Sequence, residues 1–152
     1  MTNLPRIGDI APDFEAPDET RSRVKLSALK GSTVVLYFYP KDDTPGCTAE
    51  ACSFRDSHSE FQKKGIKVVG VSVDNEKSHT KFKEKYNLNF TLVADKEKDI
   101  ARKYGVLSDR GVASRVTFVI DSHGKIAHVY DKVTPKDHSS EVMSKIEELN
   151  LA

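Results

Sequence analysis

Residues 33–39, TVVLYFY, form a β-branched and aromatic run without polar alternation, the pattern of a central strand covered on both faces. The run stops at Pro40, which has no N–H to continue a ladder. Beyond the polar loop KDDTPG, residues Cys47, Ala51, Phe54, His58 and Phe61 recur at steps of four and three. That spacing predicts a helix with one apolar stripe, ending at Gly65 as its C′ residue. Residues 67–73, KVVGVSV, read as a second buried strand, and Asp74 as the cap of a helix that buries Phe82 and Tyr86.

A third short strand is expected over 90–94. A charged helix follows from about 96 to 104, with Asp99 and Lys103 as an i,i+4 pair and Gly105 as its end. Strands 116–121 and 125–131 are joined by Ser122, His123 and Gly124, a compact hairpin connection. Thr134 and Pro135 read as N-cap and N1 of a last helix with Val142, Ile146 and Leu149 on its buried face. Ahead of these elements, extended pieces around Phe14 and around Val24 and Leu26 suggest a hairpin closing at Gly31. Alternating strands and helices, then a hairpin and a helix, predict an α/β fold with a mixed sheet. No repeat or linker interrupts the pattern, so residues 1–152 are expected to form one domain.

Composition narrows the function classes. The chain is 38% hydrophobic and 31% charged with a formal net charge of +1, so it can bury a core and advertises no polyanionic partner. Nucleic acid is not expected. The Lys-rich stretch 77–103 is interleaved with acids and reads as solvated helix faces. The longest strongly apolar run is far shorter than a membrane helix requires, so no membrane role is expected. The first residues, MTNLPRIGDIAPDF, lack the basic and apolar regions of a secretory signal, which points to the cytoplasm. The five histidines form no i,i+4 pair, and neither a metal nor a cofactor is expected. The adjacent acids Asp42 and Asp43 read as turn residues pointing into water.

Two cysteines are too few for a disulfide scaffold, and in a reducing compartment they favour a transient or catalytic role. They lie in the segment 40–52, PKDDTPGCTAEAC, between a strand and a helix, where α/β sheets gather active sites. With Thr44 as N-cap, Pro45 as N1 and Gly46 as N2, Cys47 falls in the first helical turn. The unpaired N–H groups and the positive dipole end there favour a thiolate, the nucleophilic form. A buried core cysteine is the plainer alternative, since Cys47 also opens the apolar stripe. Cys52, five residues on, is rotated by about 140° and displaced by roughly 7.5 Å along the axis, which puts the two Cα atoms about 8–9 Å apart. A disulfide needs them within about 7 Å, so the pair can bond only if the first turns of the helix unwind.

The string from Pro40 through Thr44 and Cys47 to Glu50, P-x-x-x-T-x-x-C-x-x-E, resembles the peroxiredoxin signature, and YFYPKDDTPGCTAEAC resembles the bacterioferritin comigratory protein or Q-type branch. The resemblance extends over GDIAPDFEAPD, VKLSALKG, VVGVSVD, KYNLNFTLVAD, KYGV and SRVTFVIDSHGKI, nearly the whole chain. It implies a thioredoxin-like fold with an N-terminal hairpin and a peroxidase that reduces hydrogen peroxide and organic hydroperoxides. It also implies that Cys47 is the peroxidatic cysteine and that Cys52 resolves its sulfenic acid in an intramolecular disulfide. A thioredoxin-like or glutaredoxin-like protein would then reduce that bond.

By the same resemblance Thr44 hydrogen-bonds the peroxide, Pro40 shields the thiolate, and Arg115 lies over Cys47. Glu50 positions an arginine near the site. Without the resemblance, Arg115 reads as a solvated strand-end charge and Glu50 as an exposed helix carboxylate. Because the disulfide closes within one chain, a monomer suffices and a dimer is not required. A thioredoxin-type disulfide reductase is the second enzyme reading, but the chain has Cys47-x4-Cys52 where that class has C-x-x-C. A copper-binding module is the reading from another class, and His58 lies too far along the helix from Cys47 to complete such a site.

Overall fold

The structure is a computed structural model that describes residues 4–151. The ends of the expected 1–152 span, residues 1–3 and 152, lie outside the described residues. Strands β1 (Glu15–Pro17) and β2 (Arg23–Lys25) pair antiparallel in the expected hairpin. Then follow β3 (Val34–Phe38), α1 (Pro45–Lys63), β4 (Lys67–Ser72), α2 (Glu76–Tyr86), β5 (Thr91–Ala94), α3 (Asp99–Lys103), β6 (Val116–Ile120), β7 (Ile126–Tyr130) and α4 (His138–Glu148). The main sheet has the order β5-β4-β3-β6-β7. β3 pairs parallel with β4 and antiparallel with β6, so the sheet is mixed.

The unbroken apolar run of β3 is explained by its place at the centre of that sheet. Leu36 and Phe38 enter one core with Val71, Tyr104 and Phe118, whereas Val35 and Tyr37 enter another with Phe54, Phe61 and Val142. A side chain such as Phe54, fully buried here, contributes roughly 1.5–3 kcal/mol over its exposed state. The stripe on α1 is buried at Cys47, Ala51, Phe54 and Phe61, while His58 is only half-buried. The helix ends in a Schellman motif at Gly65 (φ 72°), with Ile66 N–H donating to Phe61 O and Gly65 N–H to Gln62 O.

Four local expectations are corrected. The cap of α2 is Asn75, whose Oδ1 accepts from Ser78 N–H; Asp74 instead accepts from Ser72 Oγ and Asp42 N–H. The charged helix shrinks to five residues, and Asp99 meets Arg102 while Lys103 donates to Asp13 O. The Asp95 carboxylate accepts from Ile100 N–H and Ala101 N–H and so replaces a longer helical start. Thr134 and Pro135 open a 3₁₀ turn, Pro135–Asp137, ahead of α4. Leu149 is exposed, because the chain reverses at Asn150 (φ 55°) and Leu151 packs inward in its place.

Candidate active site

The loop from β3 into α1 lies at the carboxyl end of the central strand. Pro40, half-buried, follows β3 after Tyr39, and Asp43 turns the chain with φ 58°. Thr44 has the extended backbone of an N-cap, with Pro45 at the start of α1, as expected. Its hydroxyl does not cap the helix, however. Oγ1 donates to Lys41 O at 3.0 Å, which leaves the amides of the first turn without a side-chain partner from Thr44. Cys47 sits in that first turn and is 1% exposed.

Arg115 precedes β6, and the antiparallel register sets Phe38 opposite Val116. The residue just before β6 therefore lies beside the end of β3, where α1 begins. Arg115 Nη2 donates to Cys47 Sγ at 3.3 Å, and Nη1 donates to Glu50 Oε1 at 2.7 Å. One guanidinium thus bridges thiol and carboxylate, using the fork that a lysine lacks. Neither a solvated strand-end arginine nor an exposed helix carboxylate describes these residues: Arg115 has a side chain 21% exposed and Glu50 is fully buried.

Burial pushes the Glu50 carboxyl up to about 7, against the opposing pull of the Arg115 charge and hydrogen bond. Its second oxygen, Oε2, and the Tyr37 hydroxyl are buried without a partner. Arg115 is held above its ordinary value: burial opposes its charge, and Cys47 and Glu50 together outweigh that cost. Gly46 allows this approach, since a Cβ there would lie 3.0 Å from Arg115 Nη2.

Cys47, Glu50 and Arg115 are thus brought into one hydrogen-bonded group. Cys52 lies on the same helix, half-buried, and both cysteines are free thiols. Because α1 is continuous from Pro45 to Lys63, the helical separation expected for the pair applies to this structure.

One residue contradicts the sequence reading and another escaped it. Asp42 does not point into water: it is buried and accepts from Tyr39 Oη at 2.6 Å and Ser78 Oγ at 2.7 Å. His79, fully buried on α2, lies with Nδ1 2.7 Å from Asp42 Oδ2. The i,i+3 spacing of His79 and Phe82 is the one local signal that this histidine faces inward. Asp43 is exposed, as expected, but is held by Lys85 Nζ and Tyr86 Oη, each at 2.7 Å.

Residues 7–129 match the AhpC/TSA family. A putative peroxiredoxin bcp of Coxiella burnetii is 45% identical over 148 residues, covering 92% of this chain and 97% of the relative. The chain belongs to the peroxiredoxins. Peroxiredoxin Bcp of Bacillus subtilis is 43% identical over 152 residues, covering 95% and 96% of the two chains. Among solved structures, peroxidoxin BcpB from Mycobacterium tuberculosis superposes with a TM-score of 0.88 at 35% identity, covering 95% of this chain and 97% of that one. Peroxiredoxin Q from Xylella fastidiosa gives 0.91 at 28% identity, covering 97% and 99%. The fold is accordingly the thioredoxin-like peroxiredoxin fold, and the protein is a thiol-dependent peroxidase, an oxidoreductase of the Bcp/Q branch. As in the family, its substrates are peroxides and its reductants thiols. Among the described residues, no helix is long and apolar enough to cross a membrane.

Proposed function

We propose that Cys47 is the peroxidatic cysteine and Cys52 the resolving cysteine of one intramolecular cycle. The observation that carries this reading is the Arg115 guanidinium 3.3 Å from the buried Cys47 Sγ in the first turn of α1. The Cys47 thiolate attacks the terminal oxygen of the peroxide. An S–O bond forms, the O–O bond breaks, and the leaving alkoxide or hydroxide takes up a proton to become alcohol or water. Arg115 stabilises both the thiolate and the charge developing on the departing oxygen. Glu50 holds the guanidinium in place, Thr44 offers its hydroxyl to the peroxide, and Pro40 keeps water from the sulfur. The Cys52 thiol then displaces water from the Cys47 sulfenic acid, closing the disulfide after the first turns of α1 unwind.

The bond is then reduced by a dithiol protein of the thioredoxin or glutaredoxin type, by thiol–disulfide exchange. Hydrogen peroxide and organic hydroperoxides both serve as substrates. An alkyl peroxide reduction activity is named for the similar Xanthomonas campestris bacterioferritin comigratory protein, 30% identical and covering 97% of this chain. We infer that residues 1–152 act as one domain, working as a monomer in the cytoplasm, because the cycle needs no second chain and two cysteines with a transient, catalytic role suit a reducing compartment.

Rapid mixing of the reduced protein with hydrogen peroxide tests the cycle. Wild type is expected to lose two thiols per peroxide. Cys47→Ser loses fast turnover, and Cys52→Ser reacts once and stops at the sulfenic acid. A Cys47→Ser variant that reacts as fast as wild type overturns the assignment.

A further inference from the structure

Asp42 is the hub of a polar network that makes no hydrogen bond to Cys47, Glu50 or Arg115. Its carboxylate accepts from Tyr39 Oη and Ser78 Oγ and faces His79 Nδ1 at 2.7 Å. The other ring nitrogen of His79, Nε2, lies 2.9 Å from Val93 O, a carbonyl that can only accept. Nε2 therefore carries a hydrogen, and the short contact of Nδ1 with a carboxylate requires a second proton between them. Burial alone would discharge His79. The Asp42 hydrogen bond and charge, with smaller help from Val93 O and Asp74, instead hold it above the ordinary histidine range.

Three further hydrogen bonds fasten the same loop to the α2 side of the sheet. Asp42 N–H donates to Asp74 Oδ2 at 2.9 Å, and the Asp43 carboxylate takes Lys85 Nζ and Tyr86 Oη. Downstream, α1 is tied to α4, with Ser53 Oγ donating to Ser139 Oγ at 2.7 Å and Ser57 Oγ 3.0 Å from the same atom. Between these anchors lie residues 45–52, which contain both cysteines.

We propose that the Asp42–His79 pair is a clamp on the loop before α1 that sets how fast residues 45–52 unwind, and so divides the Cys47 sulfenic acid between two fates. One is attack by the Cys52 thiol, giving disulfide and water. The other is reaction with a second peroxide, giving sulfinic acid and alcohol or water. Asp42 and His79 are positioning residues, acting through the loop. The proposal rests on the reading of Cys52 as the resolving cysteine.

The test uses Asp42→Asn, which keeps the shape of the side chain but removes the ion pair and one acceptor oxygen, and His79→Gln. After a stoichiometric pulse of hydrogen peroxide, both variants are expected to form the disulfide about tenfold faster than wild type, the effect of loosening about one net hydrogen bond. The peroxide concentration that converts half of Cys47 to sulfinic acid should rise by a similar factor. The first oxidation should change less than about threefold, a split that general loss of structure would not produce. If Asp42→Asn does not fold, Ser78→Ala, which removes one donor to the same carboxylate, must shift the disulfide rate in the same direction.

Unchanged disulfide rates in variants of a wild type that does form the Cys47–Cys52 bond overturn the clamp alone. Slowing of both steps together overturns it as well. A wild type whose peptide map shows no Cys47–Cys52 disulfide overturns the clamp and the resolving role together.

Discussion

Arg115 Nη2 donates to Cys47 Sγ at 3.3 Å across 68 residues of sequence, and the other arm of the same guanidinium is fixed by Glu50 at 2.7 Å. Arg115→Ala removes the one side-chain donor to the sulfur among the described residues. The rate of Cys47 oxidation by peroxide is expected to fall by roughly 10²–10³, the usual loss for a preorganised donor at a developing charge. Alkylation of Cys47 at neutral pH should slow in parallel. Arg115→Lys should recover only part of the loss, because lysine lacks the planar fork that holds Sγ and Oε1 on separate nitrogens. Stopped-flow oxidation and iodoacetamide labelling read both effects, and an Arg115→Ala enzyme of wild-type speed would remove Arg115 from the mechanism.

Gly46 tests the same contact without touching a charged group. A Cβ at this position stands 3.0 Å from Arg115 Nη2 and 3.6 Å from Cζ, so Gly46→Ala must displace the guanidinium by a few tenths of an ångström. Oxidation of Cys47 is expected to slow about tenfold, since small misplacements at a reacting centre are costly. Stability should stay level or rise by a few tenths of a kcal/mol, as alanine favours the helix. Equal peroxide rates for variant and wild type would show that the close approach is immaterial.

Glu50 gives a pH signature in stability. Its proton is held up to about 7 in the folded chain, above the ordinary 4.5, because burial penalises the carboxylate more than Arg115 rescues it. Folding therefore takes up a proton between these values. Its favourable contribution is complete below about 4.5 and is lost as pH rises through about 7, amounting to as much as about 3 kcal/mol. Glu50→Gln should abolish this slope. Urea midpoints at pH 5 and pH 8 measure it, and an identical pH difference in wild type and Glu50→Gln would refute the buried-carboxyl origin.

Gly70 sits in the middle of β4 with no room beside it. An added Cβ would meet two Tyr37 ring atoms at 2.9 Å and Leu92 Cδ2 at 3.0 Å. Gly70→Ala is expected to destabilise the fold by about 1–3 kcal/mol through overpacking. Chemical denaturation provides the measurement, with no loss of stability as the contrary result.

Periodicity made the elements legible where one chemical pattern has one structural answer. An unbroken apolar run such as 34–38 needs both faces covered, and a four-three stripe such as Cys47, Ala51, Phe54 and Phe61 needs one. Ends were harder because neighbouring groups compete. Asn75 and Asp74 are both capping residues, and Asp74 is drawn away by Asp42 N–H and Ser72 Oγ. Leu149 and Leu151 are both apolar, and the left-handed turn at Asn150 decides which faces inward.

From the sequence alone followed the α/β order, the thiol in the first turn of a helix, and the separation of Cys47 from Cys52, since all three depend on residues near one another in the chain. The resemblance to the peroxiredoxins also marked Thr44, Glu50 and Arg115 as members of one site. Only the tertiary structure decided what those residues touch. The antiparallel register of β3 and β6 brings Arg115 onto Cys47, burial turns Glu50 into its anchor, and the Thr44 hydroxyl leaves the cap for Lys41 O. It also withdrew Asp42 from water and joined it to His79, because burying a carboxylate depends on partners supplied from distant elements, which no local pattern encodes.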